Sequence, residues 1–257
     1  KCSTGTPTTR RATRLASGLI IAAPHSGSGK TLVTLGLLAA LRRRMRVVPA
    51  KTGPDYIDPA FLSRAAQSPC INLDPWAMDA GTLRALAARQ AAGHDLLLVE
   101  GVMGLFDGGA DGTGSTADLA AALDLPVVLV VDVARQAQSV AALVEGFSRH
   151  RSDIRVAGLI LNRVGSARHA DILKTALKHL DIPVLGAVPR QSGIELPSRH
   201  LGLVPAAELP DLETRLSLLA GTMRQAVPLE ALLAVATPLP QPGAAARMLP
   251  PPGQRIA

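Results

Sequence analysis

"APHSGSGKT", residues 23–31, follows the short apolar run "GLIIAA" at 18–23 and opens a stretch of helical pattern from about Gly29 to Arg44. It matches the phosphate-binding pattern GxxxxGK[ST] except at the first position, where Pro24 replaces glycine. Gly27 and Gly29 allow backbone N–H groups to turn toward a phosphate, and Lys30 supplies positive charge. Thr31 offers a hydroxyl to Mg²⁺, and the helix that starts there adds the positive end of its dipole. Pro24 stiffens the entry from the strand but removes none of these groups. Strand, glycine-rich turn and helix in this order are the context the motif requires. The sequence therefore predicts a nucleotide held by Ser26, Gly27, Ser28, Gly29, Lys30 and Thr31.

Working outward, further buried-strand candidates are "RVVPA" at 46–50, "DLLLVE" at 95–100, "PVVLVVD" at 126–132, "RVAGLILN" at 155–162 and "IPVLGAVP" at 182–189. Helical patterns fill about 79–92, 115–123, 136–150 and 167–179 between them. Apolar runs alternating with amphipathic stretches predict an α/β fold, a mostly parallel sheet with helices on both faces. After about Pro205 the helical patterns weaken. Residues 236–253 hold six prolines, which reads as a linker, and "GQRIA" reads as a strand just beginning. The expected division is a basic head at 1–16, one P-loop domain at 17–235 and the Pro-rich segment at 236–257.

Ligands of such sheets sit beyond the carboxyl ends of the strands. The candidates are therefore Pro24–Thr31, Lys51–Asp58, Glu100–Asp107, Asp132, Asn162 and Pro189–Ser192. "KTGPDYIDP" puts Lys51, Asp55 and Asp58 on a loop after the second strand. "VEGVMGLFDG" puts Glu100 at the tip of a very apolar one, well placed to hold Mg²⁺ directly or through water. Asp107 and Asp111 lie in a glycine-rich loop and serve equally well as turn formers. Asn162 could read the donor and acceptor edge of adenine or cap a helix. His200 could meet an anionic substrate or be structural, and His25 faces solvent.

The net charge of +7 does not point to nucleic acid. No acid precedes Asp55, and from there on acids outnumber bases by three; the excess lies partly in the first 14 residues, which read as a disordered Ser/Thr-rich head. Five aromatic residues give no surface for stacking bases. No apolar run is long enough for a membrane helix. Two cysteines are too few for a disulfide framework or a metal cluster, so a reducing cytoplasm is expected.

The segments "KTGPDYIDPAFL", "NLDPWAMD", "LLLVEGVMGLFDG", "GSTADLAAALDLPVVLVVD", "GLILNRV" and "RHLGLVPA", with the loop, resemble the cobyrinic acid a,c-diamide synthases and their hydrogenobyrinic acid counterparts over about residues 17–210. "GPDYIDP" with "VEGVMGLFDG" carries the resemblance. It implies a nucleotide domain similar to dethiobiotin synthetase and an ATP-dependent ligase of cobalamin (vitamin B12) biosynthesis. That ligase would turn the a and c acetates of a corrinoid into amides through an acyl phosphate opened by ammonia. It also implies roles: Lys30 at the phosphates; Thr31, Asp55 and Glu100 on Mg²⁺; Asn162 at adenine; Tyr56 and Ile57 shaping the substrate pocket; and Asp58 assisting the metal or orienting substrate. In such ligases ammonia comes from glutamine through a class I glutaminase domain. Neither Cys2 nor Cys70 has the setting of its nucleophile, and "GQRIA" resembles that domain's opening strand. This chain by itself is therefore expected not to hydrolyse glutamine. A homodimer is compatible with the resemblance. Two rivals share the loop: a partition-type ATPase switch, which carries an extra lysine where this chain has His25, and a dethiobiotin-synthetase-like ligase for a small diamine and CO₂.

Overall fold

The computed structural model describes residues 16–190, 198–199, 202–203 and 206–241. Strands β1 (Ser17–Ala22), β2 (Val47–Thr52), β3 (Ile71–Leu73), β4 (Leu96–Glu100), β5 (Val127–Asp132), β6 (Val156–Val164) and β7 (Val184–Pro189) form a parallel sheet in the order β3-β2-β4-β1-β5-β6-β7. Helices α1 (Lys30–Leu41), α2 (Asp58–Ala66), α3 (Ala80–Ala91), α4 (Thr116–Leu123), α5 (Val140–Arg149) and α6 (Ala167–Leu177) lie between them in sequence. Two short strands, β8 (Ser198–Arg199) and β9 (Gly202–Leu203), pair antiparallel. Helices α7 (Leu212–Ala226) and α8 (Leu229–Val235) and a last strand, β10 (Thr237–Pro238), complete the described chain.

Both faces of the sheet are covered, which is why its strands read as continuous apolar runs. Period-two alternation divides them. Leu19, Ile21, Leu96, Leu98, Val128 and Val130 join a core with α1, α2, α7 and α8. Ile20, Leu97, Val99, Val127, Leu129 and Val131 join the opposite core with α3, α4, α5 and α6.

The expected strands and helices agree with the observed ones to within a few residues; the short strands β3, β8 and β9 are not among the expected elements, and three further segments differ. Residues 58–66, where no helix is among the expected elements, form α2, whose second position is proline, a favoured place for a residue with no N–H to donate. The helical pattern does not weaken after 205: Leu212, Leu216, Leu219, Ala220 and Met223 form one buried stripe on α7. The segment expected as a linker begins inside the sheet. The register of β5 against β1 starts only at Ile20, leaving Ser17 and Gly18 open, and Thr237 and Pro238 pair antiparallel with them. Leu239 is buried beside Gly18, where a side chain in place of the glycine hydrogen would collide with Leu125 and crowd Leu239. Residues 242–257, most of the head and His200 lie outside the described residues. No single described helix is long and apolar enough to cross a membrane.

Candidate active site

The chain leaves β1 for the far side of the sheet, returns through β4 and then crosses to β5, so the strand order switches at β1. The loops after β1, β2 and β4 thus converge at one carboxyl edge, the place where such sheets bind ligands.

The loop after β1 needs both its glycines. Gly27 (φ +80°) and Gly29 (φ +86°) are in the left-handed region. A Cβ on Gly29 would also lie 2.2 Å from Nδ2 of Asn162. No side chain caps α1, so the N–H groups of its first turn remain for an anion. Ser26 and Gly27 are exposed, whereas Ser28 is buried, its hydroxyl donating to the His25 carbonyl (2.8 Å). Pro24 is buried at the loop's entry, and its carbonyl would be 2.5 Å from a Cβ on Gly104, so the loop after β4 packs against it.

Asn162 sits beneath this loop, buried, with Nδ2 donating to the Ser28 carbonyl (2.9 Å). One of the two Nδ2 hydrogens braces the loop, and the other hydrogen and Oδ1 are left over. Arg163 follows in the left-handed region (φ +62°), where the register of β6 against β7 shifts, and it pairs with Asp132 at the end of β5.

The centre of the site is a charge cluster that the loop motif alone does not reveal. Lys51, only 2% exposed on β2, donates from Nζ to Asp58 Oδ2 (2.6 Å) and Glu100 Oε1 (3.0 Å), and stands 3.9 Å from Asp55 Oδ2. Glu100, fully buried at the end of β4, also accepts from Thr31 Oγ1 (2.7 Å). Its other oxygen, Oε2, is buried and has no hydrogen-bond partner. Asp55 Oδ1 accepts from the N–H groups of Ile57 and Asp58 (2.9 and 3.0 Å), which shapes the entry to α2.

Charge is unbalanced here. Burial lowers the pKa of Lys51, but Glu100 and Asp58 more than reverse it, so the ammonium stays charged. Burial first, and Glu100 next, push the Asp58 carboxyl above its ordinary range despite the pull of Lys51. Burial also lowers Lys30, against the attraction of Glu100. Three carboxylates share one bridging ammonium, and a buried carboxylate oxygen lacks a partner. This donor set fits Mg²⁺. Among the described residues no group of three His, Cys, Asp or Glu has the spacing of a protein-only metal site. Mg²⁺ suits a hydroxyl and one or two carboxylates completed by phosphates and water.

The structure brings Lys30, Thr31, Asp55, Asp58 and Glu100 together and places Lys51, expected on the following loop, inside β2 at their centre. In sequence, Lys51 falls among the candidates of the loop after the second strand; its ion pairs appear only with carboxylates 7 and 49 positions away. Tyr56 projects, 84% exposed. Ile57 is half-buried and packs against the α1-side core, so of the two expected pocket residues Tyr56 is the one that reaches outward. Asp107 and Asp111 are turn formers, accepting from Gly104 N–H and from Thr113. His25 is exposed, its ring 2.6 Å from the Ser26 carbonyl.

A glycine-rich loop between the first strand and first helix of a parallel sheet, with a strand-end glutamate on its Thr, defines a P-loop nucleotide-binding protein. Within that class the chain belongs to the CobQ/CobB/MinD/ParA nucleotide binding domain family, matched over residues 19–204. It is 56% identical over 242 residues to the hydrogenobyrinate a,c-diamide synthase of Rhizobium meliloti (strain 1021), covering 94% of this chain and 56% of that protein. It is 59% identical over 217 residues to the enzyme of the same name from Brucella anthropi, covering 84% and 50%. The chain spans about half the length of these curated relatives. The fold is shared with chloroplast FtsY from Physcomitrella patens, at a TM-score of 0.52 and 18% identity over 84% of this chain and 69% of that one.

Proposed function

We propose that this chain is the ATP-dependent synthetase part of a hydrogenobyrinate or cobyrinate a,c-diamide synthase, a cytoplasmic carbon–nitrogen ligase. The observation that carries the proposal is the buried cluster in which Lys51 joins Glu100 to Asp58 beside Lys30 and Thr31 of the loop. Its amidating activity and its substrate are taken from relatives that the chain matches at more than half of aligned positions.

In this reading a corrinoid acetate attacks the γ-phosphorus of ATP, the bond from that phosphorus to the bridging oxygen breaks, and ADP leaves. Ammonia then adds to the acyl phosphate, loses a proton and expels phosphate, leaving the amide. Bound Mg²⁺ would supply charge neutralisation to the phosphate oxygens. Thr31 and Glu100, with Asp55, would hold it. The open N–H groups of Ser26 to Lys30 and the Lys30 ammonium bind the phosphates. Lys51, whose ammonium donates to Asp58, Glu100 and the Gly101 carbonyl, holds the two carboxylates in place beside the phosphate site. Asn162 braces the loop and leaves Oδ1 for the adenine amino group. Asp58 orients substrate or assists the metal, Tyr56 reaches the corrinoid, and His200 is retained as a substrate contact. Positioning and charge neutralisation carry most of the rate. Ammonia is supplied in solution or by a glutaminase partner.

The test is corrinoid-dependent ADP release by the purified chain with Mg-ATP and hydrogenobyrinic or cobyrinic acid, with ammonium in one tube and glutamine in another. Turnover with a diamide product in the ammonium tube is expected. Tight ATP binding with no corrinoid-dependent turnover in either tube would overturn the reading.

A further inference from the structure

Four large apolar side chains are exposed among the described residues: Tyr56, Trp76, Met103 and Leu218. The first three stand on the loops that follow β2, β3 and β4, three adjacent strands, at the carboxyl edge that holds Lys51 and Glu100. Trp76 is 69% exposed, and an indole left in water forgoes most of the burial that makes tryptophan a core residue.

Its mounting is rigid. Asp74, itself buried, accepts from the Trp76 N–H at Oδ1 (3.0 Å), and its carbonyl accepts from Met78 N–H (2.9 Å), closing a turn around Pro75. Behind the ring lies the glycine-rich loop. Gly114 (φ +81°) comes so close that a Cβ there would be 2.7 Å from Cβ of Trp76, and one on Gly109 would be 3.8 Å from its Cδ1. Two residues beyond Gly114, the Thr116 hydroxyl accepts from Val102 N–H (3.0 Å) and donates to the Val102 carbonyl (3.2 Å), two residues beyond Glu100. The indole is thus fixed in the same frame as the charge cluster. Met103, next to Val102, is a non-glycine residue held at φ +44°, a conformation that persists only when its surroundings impose it.

Resting on the function proposed above, we infer that Trp76, on the same edge of the sheet as Met103, is the platform for the flat face of the substrate macrocycle and helps to choose which acetate reaches the phosphoryl group. A ring of reduced pyrroles with carboxylates at its rim presents an apolar face and acidic edges. The apolar rim on these loops receives the face, and one acid at the ring's edge then points along the sheet edge toward the phosphate loop. A rigid aromatic anchor gives contact area at small entropic cost.

Trp76 is the only tryptophan in the chain, so its modification is assigned without ambiguity. Hydroxyl-radical footprinting read by mass spectrometry should show Trp76 shielded by hydrogenobyrinic acid and not by Mg-ATP alone. Trp76→Ala should raise the KM for corrinoid by about tenfold, alter the ratio of the two monoamide intermediates and leave the KM for ATP unchanged, with Trp76→Phe restoring most of the loss. Equal ATP affinity in all three proteins controls for folding. Wild-type amidation with no shielding of Trp76 and an unaltered KM in Trp76→Ala would overturn the inference while leaving the proposed function standing. Shielding by an attached glutaminase domain without corrinoid would also overturn it, by assigning the surface to that domain. Absence of corrinoid turnover in the wild type would remove both.

Discussion

Lys51 and Glu100 are in contact, yet their removal should act in opposite directions. Lys51→Met leaves Glu100 and Asp58 buried without their shared cation, and breaking a buried pair from one side costs about 3–5 kcal/mol. Glu100→Gln removes surplus negative charge and leaves Lys51 bound to Asp58, so urea unfolding of the ligand-free protein should show little loss or a gain in stability. Corrinoid-dependent ADP release by the same variant should fall by about 10²-fold or more, since a preorganised charge is lost. A second expectation concerns pH. Lys30 is depressed by burial, so between its folded pKa and its ordinary value the unfolded chain binds more protons, and stability of the ligand-free protein rises with pH in that window. A bound triphosphate reverses the shift by favouring the ammonium. Nucleotide binding should therefore take up protons at alkaline pH, measurable by calorimetry in two buffers of different ionisation enthalpy. Asp58 has the opposite sense. Its raised pKa makes stability of the ligand-free protein fall as pH rises from the ordinary carboxylate value to the folded one. The phosphate loop and Glu100 were legible in the sequence because local motif and strand end coincide. Lys51 was a candidate by position only; its place inside β2 and its bridging of Asp58 and Glu100 were not legible, because they depend on partners brought together by the sheet.

At the scale of elements, close helix packing sets the site's foundation. Helix α1 carries the loop on its first turn and lies along α7, where Gly36 leaves no room: a Cβ would be 2.6 Å from Cγ of Met223 and 3.0 Å from the Leu219 carbonyl oxygen. Methionine can swing aside, but the carbonyl belongs to a helix backbone. Gly36→Val should therefore destabilise by roughly 1–3 kcal/mol as an overpacked core does. Adding Met223→Ala should recover only part of that loss in denaturant titrations. The elements that sequence periodicity foretold are those with one dominant signal, the apolar strands and the helices between them. Helix α7 shows an equally clear stripe, Leu212, Leu216, Leu219, Ala220 and Met223, hidden by a neighbourhood of charged and small residues. Strand β10 had no local signal, since two residues before a proline-rich run become a strand only because β5 starts its pairing too late to cover Ser17 and Gly18.

Across the whole molecule, the site is tied to the most buried part of the sheet. The loop leaves β1, which pairs with β4 on one side and with β5 and β10 on the other, and its helix contributes Val33 to Leu41 to the core shared with α7 and α8. Glu100 ends β4 and Lys51 lies within β2, its neighbour in the sheet, so a ligand that satisfies the cluster is held by buried, mutually paired strands. A ligand that binds only the folded chain at about 100 times its Kd adds about 2.7 kcal/mol of stability. For a domain of this size that is a rise in Tm of roughly 5–11 °C. Saturating Mg-ATP should produce such a rise in differential scanning calorimetry. Removing Mg²⁺ with EDTA should forfeit most of it, because Glu100 Oε2 and the β- and γ-phosphates then face one another without an intervening cation. Lys30→Met should abolish the rise, while Trp76→Ala, on the loop after β3 and not part of the phosphate loop, should keep it whole. A rise of equal size with and without Mg²⁺ would mean that the carboxylates at the sheet edge do not share a cation with the nucleotide, and the role given to Glu100 would fall.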